Sequence, residues 1–332
     1  MPELSYLVLD STDPAWNLAA EQYVFDVLPK DRSYAMLWQN DNAIIIGKYQ
    51  NTLAEINKPY VDEHGIRVVR RLSGGGAVYH DLGNLNFTFI VDAGNTETLD
   101  LHLFCQPVVR TLAGLGVEAE INGRNDITID GKKFSGNAQY LRGGRIMHHG
   151  TLMFDSDLAV VSQALRVDED KIRAKGLRSV RSRVTNIRPW LKRDCTLQDF
   201  RQSLLENLLR ENDGAPYVFS EADRAAIDTL RRERYATWEW NYGASKECSV
   251  LKKRRFEGCG TVEAHLFLDR GRIQELRFCG DFFSLEEPEE LAARFIGLRP
   301  ERDDCAAALD GVDVSRYFLG LDRAGLFALL TE

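Results

Sequence analysis

The chain has 332 residues, 44% hydrophobic and 28% charged, a composition that predicts a soluble globular protein of one large domain or two ordinary ones. Glycine (26) and proline (9) are too few for a collagen-like or low-complexity chain. With 42 basic against 50 acidic residues, the net charge of −8 argues against a bulk electrostatic grip on nucleic acid but leaves room for a local basic patch.

The segment Met1 to Asp10 has no basic n-region and no long apolar stretch, so it reads as neither a secretory signal nor an Arg-rich transit peptide. Tyr6 to Leu9 is a candidate first strand. Asp13 then reads as an N-cap with Pro14 at the first helical position, opening a helix that turns Leu18, Ala19, Tyr23, Val24 and Val27 towards a core. Strands at Tyr34 to Trp38 and Ala43 to Ile46 flank Asn40-Asp41-Asn42, which suits a hairpin. No continuous aliphatic stretch is longer than Ala43 to Ile46, too short to span a membrane. Further strands are predicted at Ile66 to Val69, Leu85 to Val91, Asp126 to Ile129 and Ile146 to Phe154, with helices over 100–114, 157–166, 196–211 and 221–233.

After Trp238 to Gly243 the texture changes. The charged run Lys252-Lys253-Arg254-Arg255 leads into strands at Thr261 to Leu268 and Arg272 to Phe278, joined by Asp269-Arg270-Gly271. Helices follow over 286–297, 302–309 and 323–330, enough for a small α+β domain. The predicted division is 1–245 and 246–332. Six cysteines, Cys105, Cys195, Cys248, Cys259, Cys279 and Cys305, form no C-x-x-C pair and fit a reducing, cytoplasmic setting.

Four segments carry chemistry. Arg70-Arg71-Leu72-Ser73-Gly74-Gly75-Gly76-Ala77-Val78-Tyr79-His80-Asp81 lies between two predicted strands. Its three glycines allow a backbone to approach a ligand closely, so the loop either holds an anion or planar ligand on its N–H groups or is a plain flexible connection. A P-loop lacks its Lys-Ser or Lys-Thr here, and a dinucleotide fingerprint lacks its third glycine, with Tyr79 in that place and a strand following. In the second segment Asp130-Gly131 marks a hairpin turn, and Lys132 and Lys133 begin the return strand facing opposite ways. An inward lysine is costly unless it meets an anion. In the third, the adjacent His148 and His149 likewise face apart, so they form no chelate and read as structural. The fourth, 171–193, carries Lys171, Arg173, Lys175, Arg178, Arg181, Arg183, Arg188, Lys192 and Arg193 with no acidic residue between them. It suits phosphates or an acidic protein partner better than single-stranded nucleic acid, for only Trp190 interleaves.

Together the four resemble lipoate–protein ligase A: Arg70-Arg71-x-Ser73-Gly74-Gly75-Gly76-Ala77-Val78-Tyr79-His80-Asp81-Leu82-Gly83-Asn84, Asn125-Asp126 with Lys133-Phe134-Ser135-Gly136, His148-His149-Gly150-Thr151-Leu152, and Lys175-Gly176 followed by Ser179 to Asn186. The resemblance covers Leu4 to Gly243 and continues more loosely beyond. It implies an α+β fold: a catalytic domain like that of biotin and lipoate protein ligases, with a small α+β C-terminal accessory domain. It further implies a two-step reaction in which lipoate and ATP give lipoyl-adenylate and pyrophosphate, and the lipoyl group passes to a lysine of an acceptor. Acceptors in the family are lipoyl domains of 2-oxoacid dehydrogenase E2 subunits and the glycine-cleavage H protein.

By resemblance, Lys133 contacts both the carboxylate and the adenylate phosphate. Arg71, Gly76, Ala77, Val78 and Tyr79 hold ATP; Arg70, Leu72, Ser73, Gly74, Gly75 and Gly136 border the lipoate. Lys175, Arg181 and Arg183 belong to an adenylate-binding loop, and Asp126 either binds Mg²⁺ or orients the lysine. Leu72 stands where the family often has a small or polar residue, which bears on acyl selectivity. The resemblance implies a monomer with no nucleic-acid or membrane partner. The rival readings are an octanoyl or lipoyl transferase of the same fold, which uses a cysteine and no ATP, and a non-catalytic module that binds lipoate or a lipoyl domain. Lys132 to Phe154 contains no cysteine, and a biotin ligase's Gly-Arg-Gly-Arg loop is absent.

Overall fold

The computed structural model describes residues 4–94, 102–123, 125–166, 184–210, 214–243, 250–269 and 271–331. The predicted domain boundary at 245/246, Cys248 and the basic residues Lys171 to Arg183 lie outside them. In chain order the strands are β1 (Leu4–Val8), β2 (Ser33–Trp38), β3 (Ala43–Ile46), β4 (Arg67–Arg70), β5 (Val78–His80), β6 (Asn84–Asp92) and β7 (Glu120–Asn122). They continue with β8 (Asp126–Ile129), β9 (Lys132–Arg142), β10 (Arg145–Met153), β11 (Gly214–Pro216), β12 (Val250–Phe256), β13 (Gly260–Asp269) and β14 (Arg272–Gly280).

An eight-stranded mixed sheet runs β11-β1-β2-β6-β10-β9-β8-β7, with β1 parallel to both of its neighbours and the rest antiparallel. One face packs on the helices α2 (His102–Gly114) and α3 (Leu197–Arg210), through Phe87, Val108, Leu112, Phe134, Leu152 and Phe200. The other face packs on α1 (Pro14–Asp26), which is itself covered by α4 (Glu221–Leu230) and the π-helical turn Arg231–Tyr235. A second sheet, β4-β3-β5, closes over α1 with Ala43, Ile45 and Val69, and buries Ile44, Ile46 and Val68 on its far side.

Asp13 caps α1 as predicted, accepting from the Ala15 N–H at 3.0 Å, with Pro14 at the first turn. Buried on nearly every side, α1 carries no clean amphipathic stripe. Glu21, Asn17 and Gln22 are buried along with its apolar residues. Val27, expected to face the core, is instead the C-cap and is 59% exposed. The C-terminal end of α1 is held by Arg145 of β10, whose guanidinium reaches the carbonyls of Val24, Phe25, Leu28 and Pro29. A cation there matches both the orphan carbonyls and the helix dipole.

The hairpin expected at Asn40-Asp41-Asn42 does not form. These residues carry the chain from one sheet to the other, because β2 pairs with β1 and β6 while β3 pairs with β4 and β5. Asn42 takes a positive φ of 45° at the crossing, and Asn40 turns inward to Asn17 and His80 rather than into a turn.

The C-terminal part is a three-stranded antiparallel sheet, β12-β13-β14, backed by the helices Pro288–Ala293, Arg302–Ala308, Val314–Tyr317 and Arg323–Thr331 around Leu266, Phe278, Phe295 and Phe318. The run Lys252-Lys253-Arg254-Arg255 is the edge strand itself, where charge discourages pairing with a further chain. On the opposite face of this sheet His265 is hydrogen-bonded to Cys279 and to Glu263 (3.1 Å), and Lys253 reaches Glu263 at 3.3 Å. The Cys279 and Glu263 bonds push the imidazole up to about 10 from its usual 6.5. Since the folded-state value lies above the unfolded one, this contribution is complete below about pH 6.5 and is lost as pH rises through about 10. Thermal melts across that range are expected to show a decline in stability that His265→Gln flattens.

Candidate active site

The glycine loop leaves β4 and returns in β5, and Arg71 gives it its shape. Its Nε donates to Ser73 Oγ (3.0 Å), Nη1 to the Ile45 carbonyl (3.1 Å), and Nη2 to the carbonyls of Gly74 (2.6 Å) and Gly76 (2.9 Å). Burial lowers this guanidinium to about 10, which leaves it cationic at neutral pH. Gly75 sits at φ 87°, and a Cβ on Gly47 would stand 2.0 Å from the Gly75 carbonyl oxygen, so the loop is pressed against the Gly47 backbone. The C-terminal unit presses from the other side. A Cβ on Gly74 would meet the Phe282 carbonyl oxygen at 2.3 Å, and the Gly75 N–H donates to that same oxygen at 3.3 Å. Tyr49 stacks on Phe282 with centroids 4.8 Å apart, and Lys48 pairs with Glu287 at 2.6 Å.

Between this loop and the large sheet lies a cleft of about 110 Å³. Arg71, Gly75, Gly76, Ala77 and Val78 border it on one side, Lys133, Gly136 and Thr151 on the other, and Leu18, Trp38 and His149 also line it. The catalytic candidate arrives through a turn and a bulge. Asp130 and Gly131 both take positive φ, 50° and 70°, the turn a two-residue hairpin needs. The register then slips: Thr128 pairs with Lys133 but Ile127 pairs with Ser135, so β9 contains one extra residue. That bulge reverses the alternation, and Lys133 shares a face with Gly136 and Asp126 although 133 and 136 differ by an odd number. Lys133 Nζ lies 2.7 Å from Asp126 Oδ1 and 2.9 Å from where a Cβ on Gly136 would be, so a side chain at 136 would displace the ammonium from this position. Lys132 is exposed, its Nζ over the Trp190 ring at 5.8 Å.

Not every expected residue reaches the cleft. Arg70 is turned away and fully engaged, donating to the carbonyls of Gly47, Lys48, Gln50, Trp240 and Asn241 and to Thr52 Oγ1. Neighbours in an extended chain face apart, and here Arg71 takes the cleft side. Arg70→Ala is therefore expected to lower the melting temperature sharply, by the equivalent of about 3 kcal/mol or more, since it strands several buried carbonyls. Leu72 packs in the core with α1, Gly74 lies against the C-terminal unit, and Tyr79 faces the other side of its sheet, donating to Asn42 Oδ1 at 3.1 Å. Lys175, Arg181 and Arg183 lie outside the described residues. The chain on either side of them is anchored: the Arg166 N–H donates to the Glu55 carbonyl, and the Thr185 N–H to the carbonyl of Lys133 itself (2.9 Å).

A buried relay at the cleft has no motif in the sequence. Glu21 Oε1 accepts from Thr88 Oγ1 (2.7 Å) and from His149 Nδ1 (2.9 Å), and His149 Nε2 then accepts from Ser73 Oγ at 2.6 Å. His149, expected to be structural, thus ties helix, sheet and glycine loop together while bordering the cleft. His148 does play the structural part: it stacks against Phe87 and Phe104, meets Gln139, and is held far below its usual pKa by burial. The only signal in the sequence was that one histidine of an adjacent pair must face the same way as Thr151.

Residues 13–209 match the family model described as lipoyl protein ligase A/B catalytic domain, and residues 245–330 match that of the bacterial lipoate protein ligase C-terminus. The chain is 44% identical over 321 residues to lipoate-protein ligase LplJ of Bacillus subtilis, covering 96% of this chain and 97% of that one. The chain belongs to the lipoate–protein ligase family. It is also 40% identical over 320 residues to lipoate–protein ligase 1 of Staphylococcus aureus, with 96% and 97% covered. Among solved structures, lipoate-protein ligase A bound with ATP superposes with a TM-score of 0.63 at 26% identity, over 73% of this chain and 99% of its own. The bipartite ligase of Thermoplasma acidophilum, studied with its E2 lipoyl domain, gives 0.66 at 28% identity, over 75% of this chain and 100% of its own. In the present ligase the catalytic and C-terminal family matches stand on one polypeptide.

Proposed function

We propose that this ligase activates free lipoate with ATP and transfers the lipoyl group to a lysine of an acceptor protein. The observation that carries this reading is Lys133 at the open edge of a largely buried cleft, its ammonium over Gly136 and beside Asp126, with the Arg71-pinned loop opposite. In the first step a lipoate carboxylate oxygen attacks the α-phosphorus, the bond to the β-phosphate oxygen breaks, and pyrophosphate leaves. In the second the acceptor amine attacks the acyl carbon, the acyl–oxygen bond breaks, AMP leaves with the electron pair, and the amine loses a proton. Lys133 supports both steps as a fixed positive charge on the carboxyl and phosphoryl oxygens.

Gly76, Ala77 and Val78 offer backbone to the nucleotide, and Arg71 contributes chiefly by holding the loop and adding charge. Gly75 and Gly136 border the acyl chain directly, whereas Ser73 acts through His149. Of the two roles expected for Asp126, its 2.7 Å contact with Lys133 favours orienting the lysine. Among the described residues no three His, Cys, Asp or Glu side chains gather for a metal, so Mg²⁺ is best read as arriving on the ATP phosphates, as such sites commonly take it.

The acceptors we assign are lipoyl domains of 2-oxoacid dehydrogenase E2 subunits and the glycine-cleavage H protein, with the basic segment 171–193 helping to draw in acidic domains. With both family segments in one chain, a monomer suffices. No described helix is long and apolar enough to cross a membrane, and buried cysteines outside any disulfide, such as Cys195 and Cys305, suit the cytoplasm. No described cysteine borders the cleft, and Cys105 Sγ lies 4.0 Å from His148, on the far face of the sheet. That disfavours the transferase reading. The test is the intact mass of an apo lipoyl domain after incubation with lipoate, with and without ATP–Mg²⁺. A lipoyl gain only with ATP is expected; a gain from an acyl-carrier donor without ATP would move the protein to the transferases, and binding with no transfer would make it a module.

A further inference from the structure

The buried end of the cleft holds a hydrogen-bond donor that the protein itself does not use. His80, 3% exposed, borders the cleft, and its Nδ1 lies 3.1 Å from Asn40 Nδ2. The orientation of Asn40 follows from its neighbours. Asn17 Nδ2 faces three acceptors, the carbonyls of Ser11 (2.9 Å) and Gln39 (2.7 Å) and Asn40 Oδ1 (3.0 Å), so it is a nitrogen, with one of its two N–H groups shared. Asn40 therefore donates to His80 Nδ1, and the neutral ring carries its proton on Nε2. Burial, with Arg71 and His149 nearby, pushes His80 down to about 3, so the ring is a neutral donor across the working pH range. His80 Nε2 is buried and has no hydrogen-bond partner, and beside Trp38 in the register the amide of Asn86 likewise has one unpartnered atom, Nδ2.

The direction of the substrate follows from burial. Lys133 and Asp126, which serve the carboxyl, have side chains 33% and 23% exposed, whereas Leu18, Trp38 and His80 are 1%, 4% and 3% exposed. The acyl tail thus ends among the buried group. We propose that His80 determines acyl specificity, its Nε2–H donating to a ring sulfur of lipoate at the buried end of the chain; this rests on the ligase reading above. Sulfur is a weak acceptor and a methylene is none. An all-carbon tail leaves a buried N–H unpaired, and that penalty exceeds what an ordinary hydrogen bond gains.

The experiment compares lipoate with 5-cyclopentylpentanoate, a carbocycle of similar outline without sulfur, in ATP-dependent modification of an apo lipoyl domain. The wild-type protein is expected to favour lipoate by about tenfold in kcat/KM. His80→Leu, checked by thermal melting, is expected to bring the ratio near unity, and His80→Gln, which keeps an N–H donor, to restore part of it. A change in the ratio is a readout that general damage to the fold would not produce. Equal kcat/KM for the two acids in the wild type overturns the proposal even if His80→Leu fails to fold, and an unchanged ratio in folded His80→Leu overturns it too. No turnover of either acid by the wild type overturns instead the ligase reading beneath it.

Discussion

Lys133→Ala is expected to reduce lipoate-dependent pyrophosphate release on the order of a thousandfold while leaving the fold in place. The side chain is one-third exposed and has Asp126 as its ion-pair partner, so its removal costs about 1 kcal/mol or less of stability. In the proposed reaction its charge faces the place where two negative groups, the carboxylate and the α-phosphate, must be brought together. A coupled pyrophosphate assay alongside a thermal melt checks this. Undiminished release from a folded Lys133→Ala protein would remove Lys133 from the chemistry.

The second large effect is expected from Gly47→Ala, a position the motif reading did not single out. Its Cβ would stand 2.0 Å from the Gly75 carbonyl oxygen, a backbone atom that moves only if the glycine loop moves. The loop is already held by Arg71 within and by Phe282 behind, so the strain has no soft outlet. We expect a loss of about 1–3 kcal/mol in stability from overpacking. A displacement of about 1 Å in the loop is expected to lower kcat/KM about a hundredfold. Steady-state kinetics and a melt, compared with wild type, report both; a variant with wild-type kinetics would show that the loop need not keep this position.

The parts legible in the sequence were those set by local rules. Asp13-Pro14 opened α1, Asp130-Gly131 made the β8–β9 turn, and the order of motifs in the chain identified the family. What escaped depended on tertiary choices. Strict alternation puts Lys133 and Gly136 on opposite faces, and only the bulge between Ile127 and Thr128 pairings brings them together. The turn at Asn40-Asp41-Asn42 has hairpin composition, yet composition does not say which sheet the next strand will join. The pair Arg70-Arg71 reads as two cleft cations, but one of them had to face the other way, where it ties Trp240 and Asn241 to the Gly47–Gln50 turn. The relay from Glu21 to His149 joins residues 128 positions apart, and a glutamate within a helix that is buried on all sides gives no periodic signal.

Lys133 and the glycine loop are expected to activate a carboxylic acid with ATP before any acceptor binds. The most direct measurement is pyrophosphate released by the purified protein from ATP–Mg²⁺ and lipoate with no acceptor present. A lipoate-dependent burst approaching one equivalent per protein molecule, resuming turnover when apo lipoyl domain is added, is the predicted result. Pyrophosphate release that ignores lipoate, or lipoyl transfer to the domain with no ATP at all, would contradict it.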